Sequence, residues 1–211
     1  MSYRVLCDGY VLHDSNLEQF TLINPVLTVE LNKSGEFTFQ IANNHVYYDK
    51  IINKKSYIEI YQDGEWLWSG RPIGINTALK LVKTVTCEGE LAYLHDSNQR
   101  IAEYHDMSVK DYFTTLIDKH NAMVDESKRF TVGNVTVTDS NDSLYRFSNY
   151  EDTFDTIQDK LIDRLGGYLI TRHVDGARYI DYVESYPYIT NQIIEIGSNI
   201  IDLSLEESSA D

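Results

Sequence analysis

The chain has 211 residues, enough for one large domain or two small ones, each with its own core. Lys and Arg number 18 against 33 Asp and Glu, giving a formal net charge of -15, so the surface repels phosphates and argues against stable nucleic-acid binding. Hydrophobic residues make up 42% of the chain, yet no apolar run reaches membrane-spanning length and "MSYRVLCDGYVL" lacks a signal-peptide core, which points to a soluble protein made in a cytoplasm with no membrane insertion.

The first hundred residues read mostly as strands. "YRVLCDGYVLHD" places two short apolar runs around Asp8-Gly9, a hairpin signal. In "PVLTVELNKSGEFTFQIAN", Val26, Thr28 and Glu30 alternate with Leu27, Val29 and Leu31 before a Lys-Ser-Gly turn. Phe37, Phe39 and Ile41 then alternate with Glu36, Thr38 and Gln40. "SYIEIYQDGEWLWSG" is a third hairpin around Asp63-Gly64, and "LKLVKTVTCEG" adds a strand with Leu81, Val85 and Cys87 among its apolar positions. Short strands at this spacing predict a barrel or sandwich. Cys7 and Cys87 could form one disulfide, but without any sign of secretion two free buried thiols are expected.

The second half changes period. Ser108 and Asp111 in "SVKDYFTTLIDKH" have the form of a capping box, and Val109, Phe113, Leu116, Ile117 and His120 share one helical face. "RFTVGNVTVTD" is a short strand or hairpin. "YEDTFDTIQDKLIDRLGG" reads as the clearest helix, with Phe154, Ile157, Leu161, Ile162 and Leu165 as its stripe, Glu151 and Asp152 at its positive end, and Gly166-Gly167 as its stop. A hairpin about Asp175-Gly176 follows, then two strand-like runs, "QIIEIG" and "NIIDLSLE". The predicted class is α+β: a β-barrel-like half over residues 1–100, then a smaller mixed domain with two helices and hairpins over 101–211. The last apolar alternation has no covering element after it, which suggests a longer protein or completion by a partner.

No constellation for chemistry emerges. The chain has no Gly-x-Ser-x-Gly, His-Glu-x-x-His, Gly-Lys-Ser/Thr or Cys-x-x-Cys. Its six His residues are scattered, although His95 and His105 each precede an Asp. "DSNDS" from Asp139 starts like a calcium loop, but Leu144 stands where Gly is needed and Tyr150 where Glu is needed. No catalytic, cofactor-binding or metal-binding residue is therefore expected.

Both tryptophans lie in "DGEWLWSG". A two-residue Asp63-Gly64 turn would pair Gln62 with Glu65, Tyr61 with Trp66, Ile60 with Leu67 and Glu59 with Trp68. One face then carries Ile58, Ile60 and Leu67, and the other Tyr57, Glu59, Tyr61, Trp66 and Trp68. Tyr57, Tyr61, Trp66 and Trp68 are the candidate interface residues. The ribbon could instead be buried on both faces, or could be a sugar platform.

The stretches "GEFTFQIANNHVYYDKI", "KTVTCEGELAYLHDSNQR", "SVKDYFTTLIDKHNA" and "FTVGNVTVTDSNDSLYRFSNYEDTFDTIQDKLIDRLGGYL" resemble the N-terminal region of tail proteins from phages and prophages of Gram-positive bacteria. These are minor structural or tail-associated lysin proteins, the prophage endopeptidase tail family, related to baseplate hub proteins. The resemblance covers nearly the whole chain. It implies a baseplate-hub-like fold and a homotrimeric ring at the virion's tail tip, beside the distal tail protein, the tape measure and the tail tube. DNA would pass through such a ring without being held. Hydrolase activity in the family lies in a C-terminal portion, so no catalysis is expected here. The alternatives are a cell-wall carbohydrate-binding module and part of a tail-associated peptidoglycan hydrolase.

Overall fold

Three Asp-Gly pairs set the hairpins of this chain. Asp8, Asp63 and Asp175 each adopt φ of 50°, and the glycines after them also have positive φ. This is the backbone a two-residue type I′ turn demands, and its twist matches the flanking strands. The computed structural model describes residues 2–78, 81–140 and 145–187.

The first turn joins β1 (Tyr3–Cys7) to β2 (Tyr10–Asp14), and the second joins β5 (Ile58–Gln62) to β6 (Glu65–Thr77). With β3 (Ile23–Thr28), β4 (Glu36–Ile41) and β7 (Lys83–Gly89) they make one curled antiparallel sheet in the order β2-β1-β5-β6-β7-β4-β3. Alternation decides its inner face: Phe37, Phe39 and Ile41 are buried, as their period-2 spacing predicts. They pack with Val5, Cys7, Leu12, Ile58, Ile60 and Val85 in one apolar cluster. Cys7 and Cys87 are both free and buried, as expected. β3 stops at Thr28, short of the alternation read as far as Leu31, and Val29 and Leu31 are exposed. Pro25 lies within β3, which is tolerable because β3 is an edge strand.

After β7 the chain turns through a 3-10 segment, Glu90–Asp96, whose Leu91, Tyr93 and Leu94 already belong to a second core. A two-stranded ladder pairs β8 (Ala102–Tyr104) with β10 (Arg146–Ser148). α1 (Val109–Met123) begins as predicted: Ser108 accepts a hydrogen bond from the Asp111 backbone N–H. Its face of Val109, Phe113, Leu116, Ile117 and His120 is buried.

β9 (Thr131–Val135) runs parallel to β12 (Ala177–Val183), which pairs with β11 (Tyr168–Val174) across the third Asp-Gly turn. α2 (Thr153–Ile157) continues through a π-helical turn, Gln158–Ile162, into a last turn, Asp163–Leu165. Asp152 caps it through the Asp155 N–H, and Gly166 stops it at φ of 72°. The π turn keeps Ile157, Leu161 and Ile162 all facing the core. The architecture is thus α+β, with a seven-stranded half-barrel followed by a smaller mixed unit. The strand-like runs after residue 187 lie outside the described residues.

Candidate interaction surface

The β5–β6 hairpin departs from simple pairing after two rungs. Gln62 faces Glu65 and Tyr61 faces Trp66, as the turn predicts. A bulge at Leu67 then shifts the register, so that Ile60 faces Trp68, Glu59 faces Ser69 and Ile58 faces Gly70. The expected Ile60–Leu67 and Glu59–Trp68 pairs are corrected accordingly. One inserted residue transposes side chains between faces: Leu67, expected in the core, is 40% exposed, and Trp68 turns inward to 6%.

Trp68 fits there because two glycines clear its path. A Cβ on Gly70 would stand 2.6 Å from the indole, and one on Gly89 would stand 2.9 Å from its Nε1. The indole N–H donates to the Ser34 carbonyl at 3.3 Å, and the ring lies 6.0 Å from Phe37. The candidate ribbon is therefore divided, with Trp68 in the sheet core and Trp66, Tyr61 and Tyr57 on the other face.

That face looks toward the second unit. Trp66 is half-buried against His173, with ring centroids 4.9 Å apart, and its N–H is buried without an acceptor. The His173 Nε2 lies 2.9 Å from Glu90, a carboxylate only 3% exposed. Glu90 also accepts from the Tyr57 hydroxyl at 2.8 Å, and the Arg178 guanidinium lies 2.7 Å away. Burial works to raise the Glu90 carboxyl, but the His173 hydrogen bond and the Arg178 charge outweigh it and hold the group below its ordinary value. The Tyr61 hydroxyl donates to Glu59 at 2.9 Å. Asn32 adds a second tie, donating to the Gly167 carbonyl and accepting from the Leu169 N–H. Sequence reasoning missed this joint, because Glu90 and His173 are separated by 83 positions. The only local sign was a His and an Arg flanking one turn.

A cleft of about 560 Å³ with a mixed polar and apolar lining opens beside Trp66. Val29, Leu31, Leu67 and Tyr186 line it and are exposed, Val29 at 66% and Leu31 at 59%. Further exposed apolar side chains sit at the ends of the sheet: Ile23 and Val26 on β3, and Tyr10 on β2. Neither β2 nor β3 has an outer neighbour among the described residues.

Among the described residues the histidines make separate contacts. His95 bonds Asp152 rather than its neighbour Asp96, which pairs with Arg71 and Lys128. His105 lies 3.5 Å from Glu103 on the surface. His120 is fully buried and bonded to Ser97. His95, Asp152 and Asp155 bring three ligand-type atoms within 4.8 Å of one another, a grouping the sequence did not suggest. Both Asp152 oxygens are already engaged, one capping α2 and the other on His95. Asp139, at the start of the calcium-like stretch, pairs with Arg146 at 3.1 Å, and residues 141–144 of that stretch lie outside the described residues. No helix of the described residues is long and apolar enough to cross a membrane.

No protein-family profile matches the chain, and no curated protein matches its sequence. Solved structures do match its fold. A 43 kDa tail protein of prophage MuSo2 from Shewanella oneidensis superposes with a TM-score of 0.55 at 14% identity, over 85% of this chain and 52% of that one. A tail protein from Neisseria meningitidis MC58 gives 0.56 at 12%, over 85% and 50%. Prophage tail protein gp18 from Listeria monocytogenes EGD-e gives 0.54 at 14%, over 90% and 56%. The chain thus spans about half the length of each. The fold is one found in phage and prophage tail proteins, as the resemblance in sequence implied.

Proposed function

We propose that this chain is a structural module of a phage or prophage tail tip, a baseplate hub component that closes into a ring by self-association. The observation that carries the reading is a tail-protein fold whose half-barrel ends in two edge strands, β2 and β3, that have no outer neighbour among the described residues and carry exposed apolar side chains. A closed ring joins one patch to a different patch on the next copy, and a sheet with two unlike edges offers such a pair. The cleft beside Trp66, with Val29, Leu31 and Leu67 exposed at it, is a second contact surface, for a further copy or for neighbouring tail proteins such as the distal tail protein, tape measure or tail tube. Residues 1–100 and 101–211 act as two hub domains in this reading; two separate cores support a two-part chain, the second of them taking in Leu91, Tyr93 and Leu94 as well. The net charge of -15 suits a ring wall that DNA crosses without sticking. No catalysis of its own is assigned.

Light scattering during size-exclusion chromatography tests the proposal. The expected species is a trimer of the 24.4 kDa chain, and Val26→Asp on the β3 edge should return it to monomer without unfolding it. A wild type that stays monomeric at every concentration defeats the ring. Turnover of purified peptidoglycan by this chain defeats the non-enzymatic reading, and retention of duplex DNA at moderate salt defeats the passive wall.

A further inference from the structure

Two elements far apart in sequence bring an imidazole and two carboxylates together at the start of α2. His95 lies near the end of the 3-10 segment Glu90–Asp96, Asp152 caps α2, and Asp155 stands in its first turn. One ligand-type atom from each lies within 4.8 Å of the other two. Backbone hydrogen bonds lock the two elements together. The Thr153 N–H donates to the Ser97 carbonyl at 3.0 Å, the Gln99 N–H to the Glu151 carbonyl at 2.8 Å, and the Tyr150 N–H to the Gln99 carbonyl at 2.8 Å. The Phe154 ring, 4.7 Å from the His95 imidazole between centroids, limits how far that ring can swing.

The spacing suits a cation. His95 Nδ1 and Asp152 Oδ2 are 2.9 Å apart. Ligand atoms about 2.0–2.2 Å from one ion stand about 3.0–3.5 Å apart in octahedral or tetrahedral geometry. An ion can therefore replace the proton shared along that contact, and the neutral imidazole then carries its proton on Nε2. Asp152 Oδ1 keeps the α2 cap, since the Asp155 N–H donates to it at 2.7 Å. Asp155 is exposed, so its carboxylate can turn onto the ion. Among the described residues no Lys or Arg pairs with Asp152 or Asp155, so no fixed positive charge stands between the two acids.

We propose that His95, Asp152 and Asp155 hold one divalent transition-metal ion of the zinc class, with water at its remaining positions. The ion ties the Glu90–Asp96 segment to the start of α2. One imidazole with two carboxylates is a donor set for such an ion, whereas calcium prefers an all-oxygen shell with more ligands than this site offers.

The test is calorimetric titration of Zn²⁺ into the untagged full chain after removal of metal with a chelator. One saturable equivalent is expected, and His95→Ala or Asp155→Asn should each weaken it by about tenfold or more. Asp155→Asn leaves the helix cap in place, because the cap uses the Asp155 backbone N–H. His105→Ala removes the other surface histidine beside a carboxylate, 3.5 Å from Glu103, and should leave binding unchanged. Circular dichroism establishes that the variants fold. Co²⁺ in place of Zn²⁺ should give visible ligand-field absorption in the wild type and lose it in His95→Ala. Absence of stoichiometric Zn²⁺ binding overturns the proposal. So does an equal loss in His105→Ala, unchanged binding in both site variants, or equal affinity for Ca²⁺.

Discussion

The half-barrel and the mixed unit bury their interiors differently. The first packs carbon against carbon: Phe37, Phe39, Ile41, Ile58, Ile60, Trp68 and Val85 fill the sheet's inner face. The second also has an apolar core, but a chain of hydrogen bonds runs through it. Gln99 donates to Thr153 at 2.8 Å, Thr153 meets Ser97 at 2.7 Å, and Ser97 meets the His120 Nδ1 at 2.7 Å. The His120 Nε2 faces the Lys128 carbonyl at 3.1 Å. A carbonyl only accepts, so Nε2 carries the proton, and Ser97 and Thr153 must each donate onward. The contrast teaches that an apolar sheet core is specified by pattern, whereas a polar network is specified by the mutual position of a few atoms and fails if one is removed.

The strongest way to break the comparison is to cut a large side chain from the first core. Phe39→Ala should cost about 4 kcal/mol in urea unfolding. Both tryptophans belong to the half-barrel, so indole fluorescence should report the loss directly while far-UV dichroism follows α1. Next in size is the joint. Glu90→Ala leaves Arg178 and His173 without their carboxylate and should cost about 3 kcal/mol, with faster exchange of the β11–β12 amides if the units part.

The two cores should also fail at opposite ends of the pH scale. Burial lowers the His120 imidazole from its ordinary 6.5, so the folded chain keeps it neutral while the unfolded chain takes up a proton. Its contribution is complete above 6.5 and is lost as pH falls below that value. Burial pushes the Cys7 thiol from 9.0 up to about 12, so the unfolded chain ionises first and stability declines as pH rises past 9.0. Acid titration followed by dichroism, and alkaline titration followed by fluorescence, check the two directions.

The smallest effect separates the tryptophans. Trp66→Phe removes a buried N–H that lacks an acceptor and should change stability by about 0.5 kcal/mol or less. Trp68→Phe loses the bond to Ser34 and part of a filled core and should cost about 1–2 kcal/mol, read from denaturant midpoints.

Most of the scaffold was legible because its signals are local. An Asp-Gly turn, a Ser–Asp cap, a Gly-Gly stop and a period of 2 or 3.6 each act within a few residues. The bulge at Leu67 was not legible. It depends on room created by Gly70 and Gly89, and the backbone that a Cβ on Gly89 would strike belongs to Ser34, 55 positions away. The π turn in the second helix had no sequence mark either, since a helical stripe tolerates one extra residue without losing its face. The aromatic ribbon was visible in the sequence, but its division between core and joint was not.

By itself, then, the sequence determined the α+β class, the hairpin turns, the helix ends, the apolar inner faces and the acidic surface, because composition and short-range periodicity encode these. Tertiary structure alone decided which tryptophan entered the core and which carboxylate joined the two units. Those outcomes depend on distances between residues far apart in the chain, and a hydrogen bond or a buried charge is won or lost over less than an ångström.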